Sequence, residues 1–267
     1  MKGHRVFALR QRLAASKDIL KPFPGPALFD QELESAVRRF QRRHGLNDDG
    51  IVGSKTRTAL NVSIEQRIQQ IRLNLERRRW MPESLGNRYI FVNTADFVLK
   101  VVEGQKTVMD MRVVVGTSYR RTPVFSAQMT YLDFNPFWNI PPGIAREEIA
   151  PRVAEHLSYL SERKIRIFGD SSAQAAEVTP RKVNWVRAEK GYFPYRLRQD
   201  PGPRNPLGRI KFIFPNAFDV YLHDTPSRGL FDQEIRTFSH GCIRVEKPAE
   251  LAAYLLRPRG DWSTAKV

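Results

Sequence analysis

With 267 residues, of which 41% are apolar and 10% aromatic, the chain has material for one large domain or two modest ones around a sizeable core, which excludes the disordered class. Forty-four basic residues against 28 acidic ones leave a formal charge of +16, which favours polyanionic surroundings such as nucleic acid, anionic lipid or an acidic cell-wall polymer without choosing among them. One cysteine excludes an intrachain disulfide, the five scattered histidines exclude the usual four-ligand zinc site, and no stretch reaches the roughly 18 apolar residues that a membrane helix needs.

The opening "MKGHRVFALRQRLAAS" carries charges inside what would be the apolar part of a signal peptide. If the protein is exported, its targeting segment is expected to have been removed or left out, with Met1 a start added to a fragment. Val6, Leu9 and Leu13 share a helical face; a second helix over 30–46 lines up Leu33, Val37, Phe40 and His44 or Leu46, with Asp30 to cap its start and Gly45 its end. "SKTRTALN" completes a three-helix unit of about sixty residues, near the lower limit for an independent core. The intervening "NDDGIVG" is rich in oxygen ligands but lacks the alternation and closing glutamate of a calcium loop, so it reads as a turn.

From Ser63 the pattern changes. Ser63 and Gln66 form a capping-box signature, and Ile64, Ile68, Ile71 and Leu75 follow at steps of four, three and four, which predicts a connecting amphipathic helix. Its other face carries Arg67, Arg72, Arg77, Arg78 and Arg79, either a solvated face or a phosphate-binding one.

Beyond Trp80 the text is β-like. "RYIFVNTADFVLKVV", the turn "EGQK" and "TVMDMRVVVG" predict a hairpin; "QMTYLDFNPFWNIPPG" predicts another strand ending at consecutive prolines; "GRIKFIFPNAFDVYLHDTP" predicts two more, separated at Pro215-Asn216. Residues 143–205, helical over "IAREEIAPRVAEHLSYLSERK" and then loop-like with many prolines and arginines, read as an insertion.

Cys242 has two readings, a small buried hydrophobe or a nucleophile beside a base. A thiol attacks as thiolate, so it needs a base or a cation to lower a pKa that is otherwise about 8.5. His240 lies two residues away, and spacing alone does not settle whether the two side chains share a face. His223 ends the β-like "FDVYLH" and would project from a strand end, in a structural or a catalytic role. Alternation places Ile243 and Val245 in the core and Arg244 on the side of Cys242, as a carboxylate clamp or a surface ion pair. Ser239, His240 and Gly241 offer backbone amides before the thiol, as oxyanion donors or as an ordinary turn. The residues alone thus reach a candidate thiol acyltransferase or hydrolase.

"HDTPSRGLFDQEIRTFSHGCIRV" resembles the signature of the L,D-transpeptidases, the YkuD-like family: a histidine, some fifteen residues, then S-H-G-C-x-R. His223, Ser239, His240, Gly241, Cys242 and Arg244 match it, and the wider similarity covers roughly residues 86–257. "AVRRFQRRHGLNDDGIVGSKTRTALN" is similar to the peptidoglycan-binding module often joined to this domain, and the order resembles the YcbB-like subgroup of Gram-negative bacteria, in which an insertion caps the cleft.

The resemblance implies an α+β fold: a peptidoglycan-binding-like helical module over 1–62, a connecting helix over 63–85, and over 86–267 a mainly β, sandwich-type catalytic domain with the 143–205 insertion as its capping subdomain. It implies that Cys242 attacks the third residue of a tetrapeptide stem, releases D-alanine and holds the stem as a thioester until an amine resolves it. His223 would be the base, His240 would shape the site, the Gly241 and Cys242 amides would stabilise the oxyanion, and Arg244 would organise the loop or meet a carboxylate. Tyr221, on the same strand face as His223, would line the cleft. The implied partners are peptidoglycan stems, donor and acceptor, with no nucleic acid, no cofactor and no metal, in a periplasmic monomer. The rival readings are an L,D-carboxypeptidase, a stem-to-protein transferase, and a non-enzymatic basic protein that binds cell-wall polymer.

Overall fold

The computed structural model describes residues 3–19, 27–169, 172, 175–189 and 192–267. Met1, expected to be an added start, and residues 170, 171, 173, 174, 190 and 191 of the expected insertion lie outside them. The chain divides into two compact units, Met1–Gly86 and Asn87–Val267.

In the first unit, α1 (His4–Ala15), α2 (Gln31–Arg43) and α3 (Ser54–Leu60) bury Val6, Leu13, Leu33, Val37, Phe40 and Leu60 in one cluster. The Asp30 carboxylate accepts the Leu33 N–H at 2.9 Å and starts α2, while Gly45, at φ +67°, follows its C-cap, His44. The turn at "NDDGIVG" is pinned from beneath by buried Gln41. The Gln41 amide donates to Asp49 Oδ1 at 2.9 Å and to Ile51 O at 3.0 Å, and its oxygen accepts the Gly50 N–H at 2.9 Å. Both bonds of the Ser63–Gln66 capping box form at the start of α4 (Ile64–Arg79). None of the residues of α4 is buried, Ile64, Ile68, Ile71 and Leu75 included. Periodicity specifies that helix, but a period does not supply a surface to cover it.

The second unit is built on a sheet in the order β1-β2-β3-β11-β9-β8-β4, with β10 added in parallel to β3. Its strands are β1 (Arg88–Asn93), β2 (Val98–Glu103), β3 (Lys106–Gly116), β4 (Tyr131–Phe134), β8 (Ile210–Ile213), β9 (Leu222–His223), β10 (Thr237–Ser239) and β11 (Ile243–Val245). Alternation sends Leu99, Val101, Met111, Val113, Phe212, Leu222, Ile243 and Val245 into one core, closed by Leu251 and Ala252 of α9 (Pro248–Leu256). Five inter-strand steps separate β1 from β8, about 24 Å in a flat sheet. Yet α9 packs on β8 while its Tyr254 hydroxyl accepts from Arg88 Nε of β1 at 2.9 Å, so the sheet curls around the helix.

Residues 131–140, expected as one strand, form two in different sheets. Asn135, at φ +50°, breaks the extended run after β4, and β5 (Trp138–Ile140) then enters a second sheet of order β5-β7-β6, with β6 (Ile165–Phe168) and β7 (Arg196–Gln199). With α5 (Pro142–Ile144), α6 (Ala150–Glu155), α7 (Ser158–Glu162) and α8 (Trp185–Glu189) this sheet has its own core around Ile149, Val153, Ile167, Trp185 and Leu197.

The helix read over 144–164 is therefore interrupted, and the stretch after it is not all loop. Pro151, without an N–H to donate, lies in the first turn of α6, and residues Ala145–Ile149 before it form a π-helical turn. β7 escaped notice because only Leu197 in "RLRQ" is apolar. Its outward Arg198 stacks between Phe137 and Phe168, 4.6 and 4.7 Å from their ring centres. No helix among the described residues is long and apolar enough to cross a membrane.

Candidate active site

Ile210 and Phe212 of β8, Leu222 of β9, and Ile243 and Val245 of β11 occupy the core face, so the polar side chains between and beside them share the other. Register pairs Lys211 with His223 and His223 with Arg244, which sets a lysine, a histidine and an arginine in a row across three adjacent strands. Asp133 of β4 continues the row as the register partner of Lys211. One step along, the Ile243 N–H donates to Tyr221 O at 3.0 Å, bringing Tyr221 beside Cys242 on the same face.

The loop that presents Cys242 runs from β10 to β11. Gly241 turns it at φ +121°, a conformation that glycine adopts freely. Ser239, buried, holds the turn from inside: its hydroxyl donates to Cys242 O at 2.5 Å and accepts the Gly241 N–H at 3.1 Å. The Gly241 amide, expected as an oxyanion donor, is thus engaged within the loop. The Cys242 amide makes no hydrogen bond among the described residues. Thr122 ties the loop to β3 by donating to Gly241 O at 2.8 Å and accepting the Gly116 N–H at 3.0 Å. His240 points toward the second sheet's subdomain, its Nε2 2.6 Å from Glu148 Oε1 in the π-helical turn. Arg120 pairs with the adjacent Glu147.

The thiol lies 3.7 Å from Asp219 O. Burial pushes its pKa above the usual value; the Tyr221 N–H and hydroxyl and the Lys211 ammonium pull it down, while the Asp219 carboxylate adds to the rise. Burial also pushes up the pKa of the Tyr221 phenol, which the Trp138 indole of β5 partly offsets, so the second sheet reaches the site. Burial pulls Arg244 below its ordinary value, against the opposing charge of a Cys242 thiolate, and among the described residues its buried Nε has no hydrogen-bond partner.

His223 is 4% exposed, and its Nδ1 lies 2.5 Å from Asp224 O. A carbonyl only accepts, so Nδ1 carries the proton of the neutral ring and Nε2 keeps its lone pair. Burial first, then Arg244 and Lys211, push the His223 pKa down to about 3, against the opposing carbonyls of Asp224 and Pro206. Among the described residues no hydrogen bond joins this ring to the thiol, although the His223 and Tyr221 ring centres are 5.6 Å apart.

The structure thus brings Cys242, Tyr221, His223 and Arg244 to one face, assigns Ser239 and Gly241 to the loop, and turns His240 to the subdomain. The sequence reading missed Lys211, Thr122, Asp219 and Glu148. For Lys211 the signal was present as a lone charge between Ile210 and Phe212, in the apolar alternation of β8. Among the described residues no group of three or more His, Cys, Asp or Glu could hold a metal ion.

The family model described as "L,D-transpeptidase catalytic domain" matches residues 87–261, and one described as "Putative peptidoglycan binding domain" matches 2–60. A curated Haemophilus influenzae protein, "Putative L,D-transpeptidase", is 36% identical over 198 residues, 74% of this chain and 39% of its own length. The chain thus spans about two fifths of that relative. Among solved structures, an L,D-transpeptidase from Stackebrandtia nassauensis aligns at 15% identity and TM-score 0.34, over 95% of this chain and 86% of the other. One from Xylanimonas cellulosilytica aligns at 18% and 0.27, over 97% and 90%. With its catalytic-domain match spanning the whole sheet and the loop of Cys242, the chain belongs to the L,D-transpeptidase (YkuD) family.

Proposed function

We propose that this protein cross-links peptidoglycan stem peptides between their third residues, with Cys242 as the nucleophile of a thioester acyl-enzyme. The reading is carried by one observation: Cys242 shares a sheet face with Tyr221, His223 and Arg244, at the end of a loop braced by Ser239 and Thr122. In the proposed reaction His223 Nε2 takes the thiol proton, and the sulfur attacks the carbonyl carbon of the third residue of a tetrapeptide stem. The bond to D-alanine breaks, and the departing amine leaves with the proton from His223. The amine of a neighbouring stem then displaces sulfur, forming the new amide and returning the proton to the thiol.

The Cys242 amide, unpaired among the described residues, is the proposed oxyanion donor, and Arg244, whose Nε is likewise unpaired among them, the proposed contact for a substrate carboxylate. His240, through Glu148, shapes the border with the capping subdomain. The net charge of +16 suits carboxylate-rich stems; a peptidoglycan substrate supports action outside the cytoplasm, and the proposed compartment is the periplasm, with the first unit binding the wall.

Purified protein incubated with tetrapeptide muropeptides and analysed by intact-protein mass spectrometry should gain the mass of one muropeptide less D-alanine, which Cys242→Ala abolishes. An adduct surviving in Cys242→Ala would refute the nucleophile. Tripeptides alone, despite abundant acceptor, would reassign the reaction to an L,D-carboxypeptidase.

A further inference from the structure

We propose that Lys211 is a positioning residue for this reaction, its ammonium seated on the Tyr221 ring to hold the Cys242 sulfur as thiolate once the proton has left. The inference rests on Cys242 being the nucleophile and deepens that reading. Lys211 Nζ lies 3.9 Å from the centre of the Tyr221 ring, and Tyr221 is the cross-strand neighbour of Cys242. Among the described residues Lys211 forms no ion pair within 4 Å; the carboxylates of Asp133, its register partner, and Asp219 favour its charge only from a longer distance, and burial still pulls its pKa down. A half-buried ammonium with no carboxylate in contact is costly unless another negative charge forms beside it.

The charged and titratable groups around the sulfur come from every neighbouring element: Asp133 of β4, Lys211 of β8, Asp219 and Tyr221 before β9, His223 of β9, and Arg244 of β11. Asp219 opposes the thiolate and Tyr221 stays a neutral phenol, so Tyr221 contributes a hydrogen bond but no charge. Arg244, two residues beyond Cys242 on β11, also lends its charge to the sulfur; Lys211, across His223 by register, adds its own and seats on the ring whose hydroxyl acts on the thiol. In the proposed reaction the departing proton goes to His223; in a titration of the free protein it goes to water, and in both the electron pair stays on sulfur.

Because Cys242 is the only cysteine, alkylation by iodoacetamide followed from pH 6 to 11 reads this sulfur alone. Lys211→Met should move the alkylation midpoint to higher pH and slow the reaction at pH 8 by about three- to tenfold, up to one pKa unit. Lys211→Arg should restore most of the rate, and acylation by stem peptide should fall in kcat with KM little changed. If Lys211→Met does not fold, Lys211→Gln carries the comparison.

A Lys211→Met titration superimposed on that of the parent, with an unchanged melting temperature, would overturn the proposal. So would a raised KM with an unmoved titration, which would make Lys211 an anchor for a substrate carboxylate. The alkylation assay needs no stem peptide. A shifted titration in a protein that never forms an acyl-enzyme would therefore sink the proposed function and leave the lysine's hold on sulfur standing.

Discussion

His223 and Arg244 are register partners across β9 and β11, and the guanidinium is, after burial, the strongest influence holding the imidazole uncharged. The consequence for stability has a definite sign. In the unfolded chain the ring titrates near 6.5, in the folded one near 3, so between those values the unfolded state binds the extra proton. Stability from this group is complete above pH 6.5 and falls as the pH drops toward 3. Urea midpoints between pH 7 and 4 should show a loss of up to about 3 kcal/mol by pH 4, and His223→Gln should flatten that slope by about one proton. A slope unchanged by the substitution would mean that the ring is not held neutral by the fold.

Ser239 is expected to be structural rather than chemical. Its buried hydroxyl serves both the Gly241 N–H and the Cys242 carbonyl, so Ser239→Ala leaves a donor and an acceptor unsatisfied beside the sulfur. A loss of about 1–3 kcal/mol is expected in chemical unfolding. Acylation by stem peptide should slow by about tenfold or more as the loop relaxes. Acylation at the parent's rate in a destabilised Ser239→Ala protein would show that the turn does not set the position of the thiol.

Which parts of this arrangement were legible in the sequence follows from the range of each interaction. Caps and periods are local, so Asp30, Ser63 with Gln66, and the alternation Ile243-Arg244-Val245 read correctly. The sequence motif carried Cys242 and His223 to the same face, but it carried no register, and register is what sets Lys211 beside them. The second sheet was missed for a related reason: the arginines of β7 stack on Phe137 and Phe168, so a strand that packs on both faces reads as a basic loop. The Gly241 N–H, expected as an oxyanion donor, is engaged by Ser239, two residues away, a contact that the motif's spacing does not announce.

The orientation of the proposed base is also set from outside the motif. Gly208, at φ +62°, lies directly under Asp224: a Cβ there would sit 2.3 Å from Asp224 Oδ2. That carboxylate accepts the Arg209 N–H at 2.8 Å, and the carbonyl of the same residue fixes His223 Nδ1. Gly208→Ala therefore has to distort a left-handed backbone or push Asp224 away, and in either case it shifts the carbonyl that selects the tautomer of the ring. The substitution should cost about 1–3 kcal/mol of stability and lower kcat for acylation while leaving KM for the stem nearly unchanged. Asp224→Asn keeps the backbone carbonyl and provides the control: it should lose part of the stability and far less of the rate. Equal kcat losses in the two variants would trace the effect to the carboxylate and break the proposed link from Gly208 through Asp224 O to His223.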